Sequence, residues 1–362
     1  MHMIRGAALL LIGAQIANAQ QPISSGAFVV RLGRDTLSVE QFTRTANRLE
    51  GDLVRRSPTT NVTHYVINTG PDGAVTSAEL TMKRADGSVI RTLTPTIAAG
   101  TFVMLPESYA PYELWLGHLR ATKTDTSTVT VAAPMGGPAG KLGVRMLPRD
   151  SARVWFFGSP MRLHVDAAGR LLGLDGRATT LKYEVTRVPN VNVAQVASSF
   201  AAGDAAGKAY GTFVSKRDTL RAQIGGANIW VDYGRPLTRG RDVFNRGVLG
   251  DTLWRTGANA ATQFRTDKDL LVEGKRLPAG TYTLWTRVTG DNASYTLVFN
   301  SQTGQWGTEY HPDRDVLAVP LRVSRVPVTE EFTIATDATA PATVLTFAWG
   351  TLRLAARVEP AP

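Results

Sequence analysis

The chain has 362 residues, of which 43% are hydrophobic and 19% are charged. This composition supplies enough apolar side chains for a packed core and excludes a globally disordered chain. Cysteine is absent, which excludes disulfides, thiolate nucleophiles, iron–sulfur clusters and cysteine-based zinc sites. At roughly 100 to 200 residues per domain, the length predicts two domains.

The 40 Lys and Arg residues outnumber the 30 Asp and Glu residues, giving a formal net charge of +10. These basic residues are spread along the chain, with no basic tail and no recognisable nucleic-acid module. We therefore expect no nucleic-acid partner.

The first nineteen residues have the pattern of a secretory signal peptide. Arg5 is followed by the apolar stretch Gly6–Ile16 and by the small-residue cleavage pattern Ala17-Asn18-Ala19. The apolar stretch is shorter than the roughly 20 residues that span a bilayer, and no later window approaches that length. The sequence thus predicts a mature chain from Gln20 that is periplasmic or secreted, without a transmembrane segment.

Alternating apolar side chains dominate the next part of the chain and predict a β meander over residues 20–190. The predicted strands are Ala27–Leu32, Thr36–Thr45, Asn61–Asn68, Val75–Lys83, Val89–Leu93, Ala152–Phe157, Met161–Val165, Leu171–Leu174 and Thr179–Arg187. Short Gly- and Asp-containing turns between them favour antiparallel connections. The Gly-rich stretch Gly136–Gly143 is interpreted as a loop.

One helix interrupts this meander. Within Leu105–Arg120, Pro111 marks a helix start, and apolar residues follow at helical spacing. A curved sheet or incomplete barrel holding this helix could form a hydrophobic pocket lined by Tyr109, Tyr112, Trp115 and Leu116. The alternative is that these four side chains only fill the core.

A second helix is predicted near Asn192–Gly203, followed by a Gly- and Ala-rich linker. The predicted organisation is a signal peptide (1–19), an N-terminal β domain (20–190), a helix with a linker (191–215) and a C-terminal β domain (216–362). The protein is thus expected to be mainly β, with two antiparallel domains.

About ten short strands in the C-terminal part predict a jelly-roll-like sandwich or a barrel. They are Leu220–Ile224, Asn228–Tyr233, Ala261–Phe264, Leu270–Val272, Gly280–Val288, Tyr295–Asn300, Val316–Val323, Glu331–Thr336, Thr343–Ala348 and Thr351–Val358.

Five sequence motifs occur in order within the C-terminal part. They are Trp230-Val231-Asp232-Tyr233-Gly234-Arg235-Pro236, Arg239-Gly240-Arg241 with Phe244, Trp254-Arg255-Thr256-Gly257-Ala258-Asn259-Ala260-Ala261-Thr262, Leu277-Pro278-Ala279-Gly280-Thr281-Tyr282, and Phe299-Asn300 with Gln305-Trp306-Gly307. Over roughly Leu220–Val358 the chain resembles the bacterial exported family called domain of unknown function 2911. The resemblance implies an exported protein but no defined activity. The N-terminal part is only loosely similar to the incomplete β-barrels of periplasmic lipoprotein carriers.

The arginines of these motifs suggest a ligand site. If loops bring Arg235, Arg241 and Arg255 together, their guanidinium groups would bind a small anion, an acidic glycan or another envelope component. Four further residues are candidates for this site: Tyr233, Trp254, Asn259 and Trp306. The alternative is that the arginines brace loops or pair with nearby aspartates.

Catalytic signatures are missing from the sequence. It contains neither a G-x-S-x-G nucleophile motif nor an H-E-x-x-H zinc motif, and its histidines are isolated. We therefore expect no catalytic residue, metal or cofactor. The predicted function is a non-catalytic exported binding protein. Two alternatives stay open: a carrier of lipid or other hydrophobic cargo using the N-terminal domain, and an envelope hydrolase.

Overall fold

The structure is a computed structural model and describes residues 23–98, 100–135, 140–148, 150–156, 159–177, 182–211, 214–244, 253–289, 294–339 and 342–362. The predicted signal peptide lies outside the described residues. Strands account for 59% of the chain and helices for 10%, which confirms the mainly β class. The sheets formed by the described residues do not close into a barrel.

Thirteen strands of the N-terminal part form one large sheet. They are β1 (Ser24–Leu32), β2 (Asp35–Arg44), β3 (Arg48–Arg55), β4 (Asn61–Thr69), β5 (Val75–Lys83), β6 (Val89–Leu93), β7 (Thr101–Val103), β8 (Thr126–Ala132), β9 (Gly140–Leu147), β10 (Ser151–Phe156), β11 (Ser159–Val165), β12 (Leu171–Asp175) and β13 (Glu184–Val188). The sheet order is β6-β5-β4-β3-β2-β1-β13-β12-β11-β10-β9-β8-β7. All pairings are antiparallel except that between β7 and β8. Tight turns account for this meander because they connect neighbouring antiparallel strands directly.

Helix α1 (Pro111–Ala121) packs against one face of this sheet. Its buried side chains belong to the same core as residues from both halves of the sheet, such as Tyr65 of β4 and Leu163 of β11. The sheet therefore curves around α1 and places it in the core of the N-terminal part.

Helix α2 (Val193–Gly203) packs on a second, small cluster that contains Val39, Val54 and Ala197. Asn192 caps the helix, because its side-chain oxygen accepts a hydrogen bond from the Gln195 amide at 3.0 Å. A short π-helical turn, Asp204–Lys208, follows and leads toward the C-terminal part.

The C-terminal part contains two sheets. The larger one contains β14 (Lys216–Ile224), β15 (Ala227–Arg235), β16 (Leu253–Trp254), β17 (Thr262–Thr266), β20 (Gly280–Thr289), β21 (Ser294–Asn300) and β22 (Asp315–Pro320). The smaller one contains β18 (Leu270–Val272), β19 (Lys275–Leu277), β23 (Arg322–Thr339) and β24 (Ala342–Pro360). Apolar side chains of both sheets form one core, so the two sheets pack as a sandwich.

Several sequence predictions of individual strands were wrong. Strands β3, β7, β8, β9, β16 and β19 were not predicted, and β9 begins inside the expected loop Gly136–Gly143. The last two predicted strands are one long strand, β24, which continues through Gly350 at φ +57°. A glycine accepts this left-handed conformation without a side-chain clash, so the strand bends where the sequence suggested an end.

Candidate functional site

A cavity of about 280 Å³ lies between α1 and the large sheet. Its apolar wall comes from β4, β5, β7, β8 and α1. The wall includes Ile67, Val75, Phe102, Val103, Pro111, Leu114, Trp115 and Val129. Polar groups at its boundary come from Asp72, Thr101, His118 and Ser127. The Trp115 indole nitrogen donates to the Ser127 hydroxyl at 3.3 Å, which fixes the orientation of this ring beside the cavity.

The local sequence explains why α1 forms there. Pro111 occupies the first turn, where a missing amide hydrogen costs no helical hydrogen bond. Glu113 in the first turn and Arg120 in the last turn have the charges that the helix dipole favours. The N-cap residue of the helix is Ala110, whose side chain makes no capping hydrogen bond. A carboxylate from the sheet takes over this role.

That carboxylate is Glu40 of β2, which is fully buried. Its Oε2 atom accepts hydrogen bonds from the amides of Tyr109 and Ala110 at 2.7 and 3.0 Å. Its Oε1 atom accepts from the hydroxyls of Tyr65 and Ser108 at 2.6 and 2.5 Å. Burial raises the pKa of the Glu40 carboxyl, and the four hydrogen bonds oppose that shift. Glu40 thus ties the start of α1 to the sheet.

A second buried carboxylate holds the helix from within. Glu113 of α1 is fully buried, pairs with Arg187 of β13 and accepts from the Leu171 amide at 3.2 Å. The Arg187 guanidinium also lies over the rings of Phe28 and Phe42, at 5.6 and 5.0 Å from their centroids. The helix wall of the cavity is therefore anchored at two points.

Of the four residues predicted to line a pocket here, Trp115 lines the cavity and three pack beside it. Tyr109 and Tyr112 are stacked with centroids 5.9 Å apart, and Leu116 is fully buried. Burial raises the pKa of both tyrosines. The sequence did not predict the contribution of Phe102 and Val129, because they lie on two strands that its pattern did not reveal.

The predicted anion site of the C-terminal part is only partly brought together. Tyr233 and Trp254 lie in the core of the sandwich, 3% and 7% exposed. The Tyr233 hydroxyl bonds with the backbone of Ile334, and the Trp254 ring stacks on Trp349 at 5.5 Å. Neither ring forms an accessible wall.

Arg235 is held by acidic partners. Its guanidinium pairs with Asp218 at 2.9 Å and with Glu331 at 3.0 Å. Its Nε atom donates to the Phe332 carbonyl at 3.2 Å. These contacts link β15 to β14 and to β23, which is the bracing role that the sequence left open.

Arg241 and Arg255 form no ion pair with any residue in the described parts of the chain. Arg241 donates to the carbonyls of Leu237 and Thr238, both at 2.8 Å. Arg255 donates to the Asn259 carbonyl at 3.4 Å. Both guanidinium groups are half-buried.

Lys182, from the N-terminal part, is close enough for these two arginines to affect its charge. Burial, followed by the positive charges of Arg241 and Arg255, lowers the pKa of Lys182 to about 8. Burial and the charge of Arg239 lower the pKa of Arg241 to about 10. Sequence spacing could not reveal Lys182, because it lies more than fifty positions before either arginine.

The remaining predicted residues lie nearby. The Asn259 amide donates to the Ser215 carbonyl at 3.1 Å. Trp306 is 42% exposed and forms an isolated bridge with Ala260. The structure therefore places Asn259 and Trp306 on the loop surface that also carries Arg255.

The described residues contain neither a metal-binding cluster nor a membrane-spanning helix. Within these ranges, no group of three or more His, Asp or Glu side chains is arranged to hold a metal ion. No helix there is long and apolar enough to cross a membrane.

The geometry defines a mainly β protein with a largely apolar cavity of about 280 Å³ under α1 and with three half-buried cations, Lys182, Arg241 and Arg255, near the C-terminal sandwich. Residues 215–358 match the model of a family described as protein of unknown function (DUF2911), which confirms the resemblance seen in the motifs of the C-terminal part. None of the curated proteins compared matches the chain. The chain is also similar to the crystal structure of a DUF1089 family protein from Pseudomonas aeruginosa, with 14% identity and a TM-score of 0.33. That similarity covers 46% of this chain and 95% of the other.

Proposed function

We propose that the N-terminal part binds a small apolar ligand or the apolar chain of a lipid in the cavity under α1. The observation that carries this proposal is the cavity itself, about 280 Å³ with a largely apolar wall. The volume approaches the roughly 300 Å³ at which small-molecule pockets begin.

The composition of the wall favours an uncharged, hydrophobic occupant. Phe102 and Trp115 offer flat aromatic surfaces, with centroids 5.8 Å apart, and no Lys or Arg is among the described residues that line the cavity. Asp72 and His118 at the boundary could bind a polar end group. If the chain is exported, as its first nineteen residues predict, this site would let it carry hydrophobic cargo through an aqueous compartment.

Ala74 provides the test, because it lines the cavity from the turn between β4 and β5. We expect an apolar fluorescent probe, N-phenyl-1-naphthylamine, to bind the wild-type protein at one site. Ala74→Phe puts a ring into the space and should weaken binding by about tenfold or more. Fluorescence titration measures the affinity.

Thr76→Phe is the matched control. Thr76 is exposed, lies two residues further along the chain and does not line the cavity. This variant adds the same ring and should bind the probe like the wild type. Equal binding by all three proteins would show that the probe occupies another place and would reject the proposal.

A second candidate function is anion binding by Lys182, Arg241 and Arg255. It is supported by the three half-buried cations and by the lowered pKa of Lys182. An anion placed between them would relieve their mutual repulsion. This proposal retains the two arginines that the sequence singled out and moves the site toward the N-terminal part.

The lowered pKa gives this candidate a pH signature. Lys182 is charged below about pH 8 and loses its charge above it. Sulfate, whose charge is constant over this range, should therefore bind more tightly at pH 6.5 than at pH 9.5. Calorimetry should also detect proton uptake on binding near pH 8.

Lys182→Met should reduce this pH dependence to the smaller part that comes from Arg241, whose pKa is about 10, whereas Lys141→Met, on the exposed part of β9, should leave it unchanged. Sulfate binding that is the same at both pH values in the wild type would contradict the second candidate.

A further inference from the structure

The outer face of the large C-terminal sheet carries a row of four side chains on adjacent strands. Arg221 of β14 is directly opposite Trp230 of β15, and Trp230 is directly opposite Arg265 of β17. Arg265 is in turn opposite Thr281 of β20. Directly opposed residues point to the same side of a sheet, with strands about 4.8 Å apart. The indole is therefore flanked by one guanidinium on each side.

This row faces away from the sandwich core. The neighbours of Trp230 along β15, Ile229 and Val231, are buried, whereas Arg221 and Arg265 are exposed and Trp230 is partly exposed. The row lines an open depression of about 930 Å³. The indole is accessible from this depression, and the two arginines stand at its sides.

The acidic groups nearby have other partners. Asp267 borders the depression as well, and its carboxylate accepts two hydrogen bonds from Asn228, at 2.7 and 2.6 Å, which lower its pKa. It stays charged, so the depression has two guanidinium groups and one carboxylate. Asp232, the next outward residue of β15, pairs with Arg217 at 2.7 Å. Arg221 and Arg265 form no ion pair with any residue that the structure describes. Two guanidinium groups are thus available to an anion from outside.

We propose that this face, the Arg221–Trp230–Arg265 row, binds an acidic polysaccharide, with a sugar ring packed on the indole and carboxylates held by the flanking arginines. An indole presents a flat apolar surface that suits the C–H face of a pyranose ring. A guanidinium group binds a carboxylate through two parallel hydrogen bonds. Gln223 and Thr281, which also line the depression, supply polar groups for sugar hydroxyls.

The arrangement favours a glycan over a flat hydrophobic partner. The row alternates charged, aromatic and charged side chains at the strand spacing, and it holds a single large apolar group. A polymer with a ring and a carboxylate in each repeat matches this alternation. The site is separate from the cavity under α1, and the inference is independent of the function proposed above.

Polygalacturonate is a suitable probe, and its fully methyl-esterified form is the neutral counterpart with the same rings. Affinity gel electrophoresis or calorimetry on the full chain should show binding to polygalacturonate and at least about tenfold weaker binding to the ester. Trp230→Ala should weaken binding by about tenfold without any change in charge. Arg221→Gln with Arg265→Gln should have a similar effect.

The double variant Arg145→Gln with Arg153→Gln is the matched control. These arginines are directly opposed and exposed on the outer face of the other large sheet. The control removes the same charge from a protein with a net charge of +10 and should bind within about twofold of the wild type. Trp230→Phe retains a flat ring and should keep most of the affinity. Comparison with it shows whether the loss in Trp230→Ala comes from the missing ring or from unfolding.

Three results would overturn the proposal. The first is equal binding of the charged and neutral polymers, and the second is an equal loss in the control double variant, which would indicate diffuse charge attraction. The third is unchanged binding by a folded Trp230→Ala protein.

Discussion

At the scale of single residues, Glu40 holds the start of α1 against the sheet. Its carboxylate accepts hydrogen bonds from two backbone amides at the start of the helix and from the hydroxyls of Tyr65 and Ser108. A buried polar group left without its partner costs about 1–3 kcal/mol. Removing Glu40 leaves four such donors.

We therefore expect Glu40→Ala to lower the free energy of unfolding by about 3 kcal/mol or more. Glu40→Gln should lower it much less. The glutamine oxygen can still accept from the two amides, and the two hydroxyls can rotate to accept from its NH2 group. Urea unfolding measures both values. Equal losses for the two variants would contradict the proposed role of these hydrogen bonds.

The raised pKa of Glu40 adds a pH dependence. The folded protein binds the proton more tightly than the unfolded chain, because burial disfavours the charged form. This contribution to stability is fully present below the unfolded pKa and is lost as pH rises through the folded pKa. The stability of the wild type relative to Glu40→Gln should therefore fall over that range.

Individual residues also show where sequence reasoning reached its limit. The two motifs that contain Tyr233 and Trp254 were recognisable, yet both rings face the core. A one-residue change of register would have turned them outward, and the sequence alone does not specify this. Trp230, from the same motif as Tyr233, is partly exposed on the outer face of the sheet.

At the scale of secondary-structure elements, the N-terminal sheet contains a row of like charges. Arg153 of β10 is directly opposite Arg145 of β9 and Arg162 of β11, and all three are exposed. Asp175 is opposite Arg162, but its carboxylate pairs with Arg177 at 2.8 Å. Like charges placed directly opposite destabilise a sheet.

Arg153→Gln removes the middle charge and should raise the free energy of unfolding by about 0.2–1 kcal/mol. The gain should shrink at high salt, because exposed charges are screened. Arg91→Gln, on the exposed edge strand β6, is a control for the loss of one positive charge. A stability gain of the same size in both variants would assign the effect to net charge.

The two helices were predicted closely, because their apolar spacing, Pro111 and Asn192 are local signals. Strand β3 was not predicted, because Gly51-Asp52 resembles a turn. In the structure, a Cβ atom at position 51 would lie 2.5 Å from the Tyr65 hydroxyl, so this glycine permits close packing inside a strand. The need for glycine at position 51 comes from Tyr65 on a neighbouring strand, so the residues next to Gly51 in the sequence do not indicate it.

At the scale of the whole molecule, a buried arginine connects the N- and C-terminal parts. Arg239 is 3% exposed, pairs with Asp35 of β2 and donates to the Tyr210 hydroxyl at 3.2 Å. Its carbonyl accepts from the Arg34 amide at 2.9 Å. The connection joins residues about two hundred positions apart, and sequence analysis predicted the linker but not this contact.

A double-mutant cycle with Asp35→Ala and Arg239→Ala should give a coupling energy of about 1–3 kcal/mol. The pair Asp337 and Arg353 is a suitable control, because both side chains are more than a third exposed. Its coupling should be below about 1 kcal/mol. Similar values for the two pairs would mean that the buried pair does not hold the two parts together.

Native mass spectrometry tests most directly whether the cavity under α1 is a ligand site. The protein, incubated with a neutral apolar compound such as 1-decanol, should retain one molecule per chain. Ala74→Phe should retain none, and Thr76→Phe should behave like the wild type. A wild-type protein that stays empty, or adducts of equal abundance on Ala74→Phe, would contradict the account.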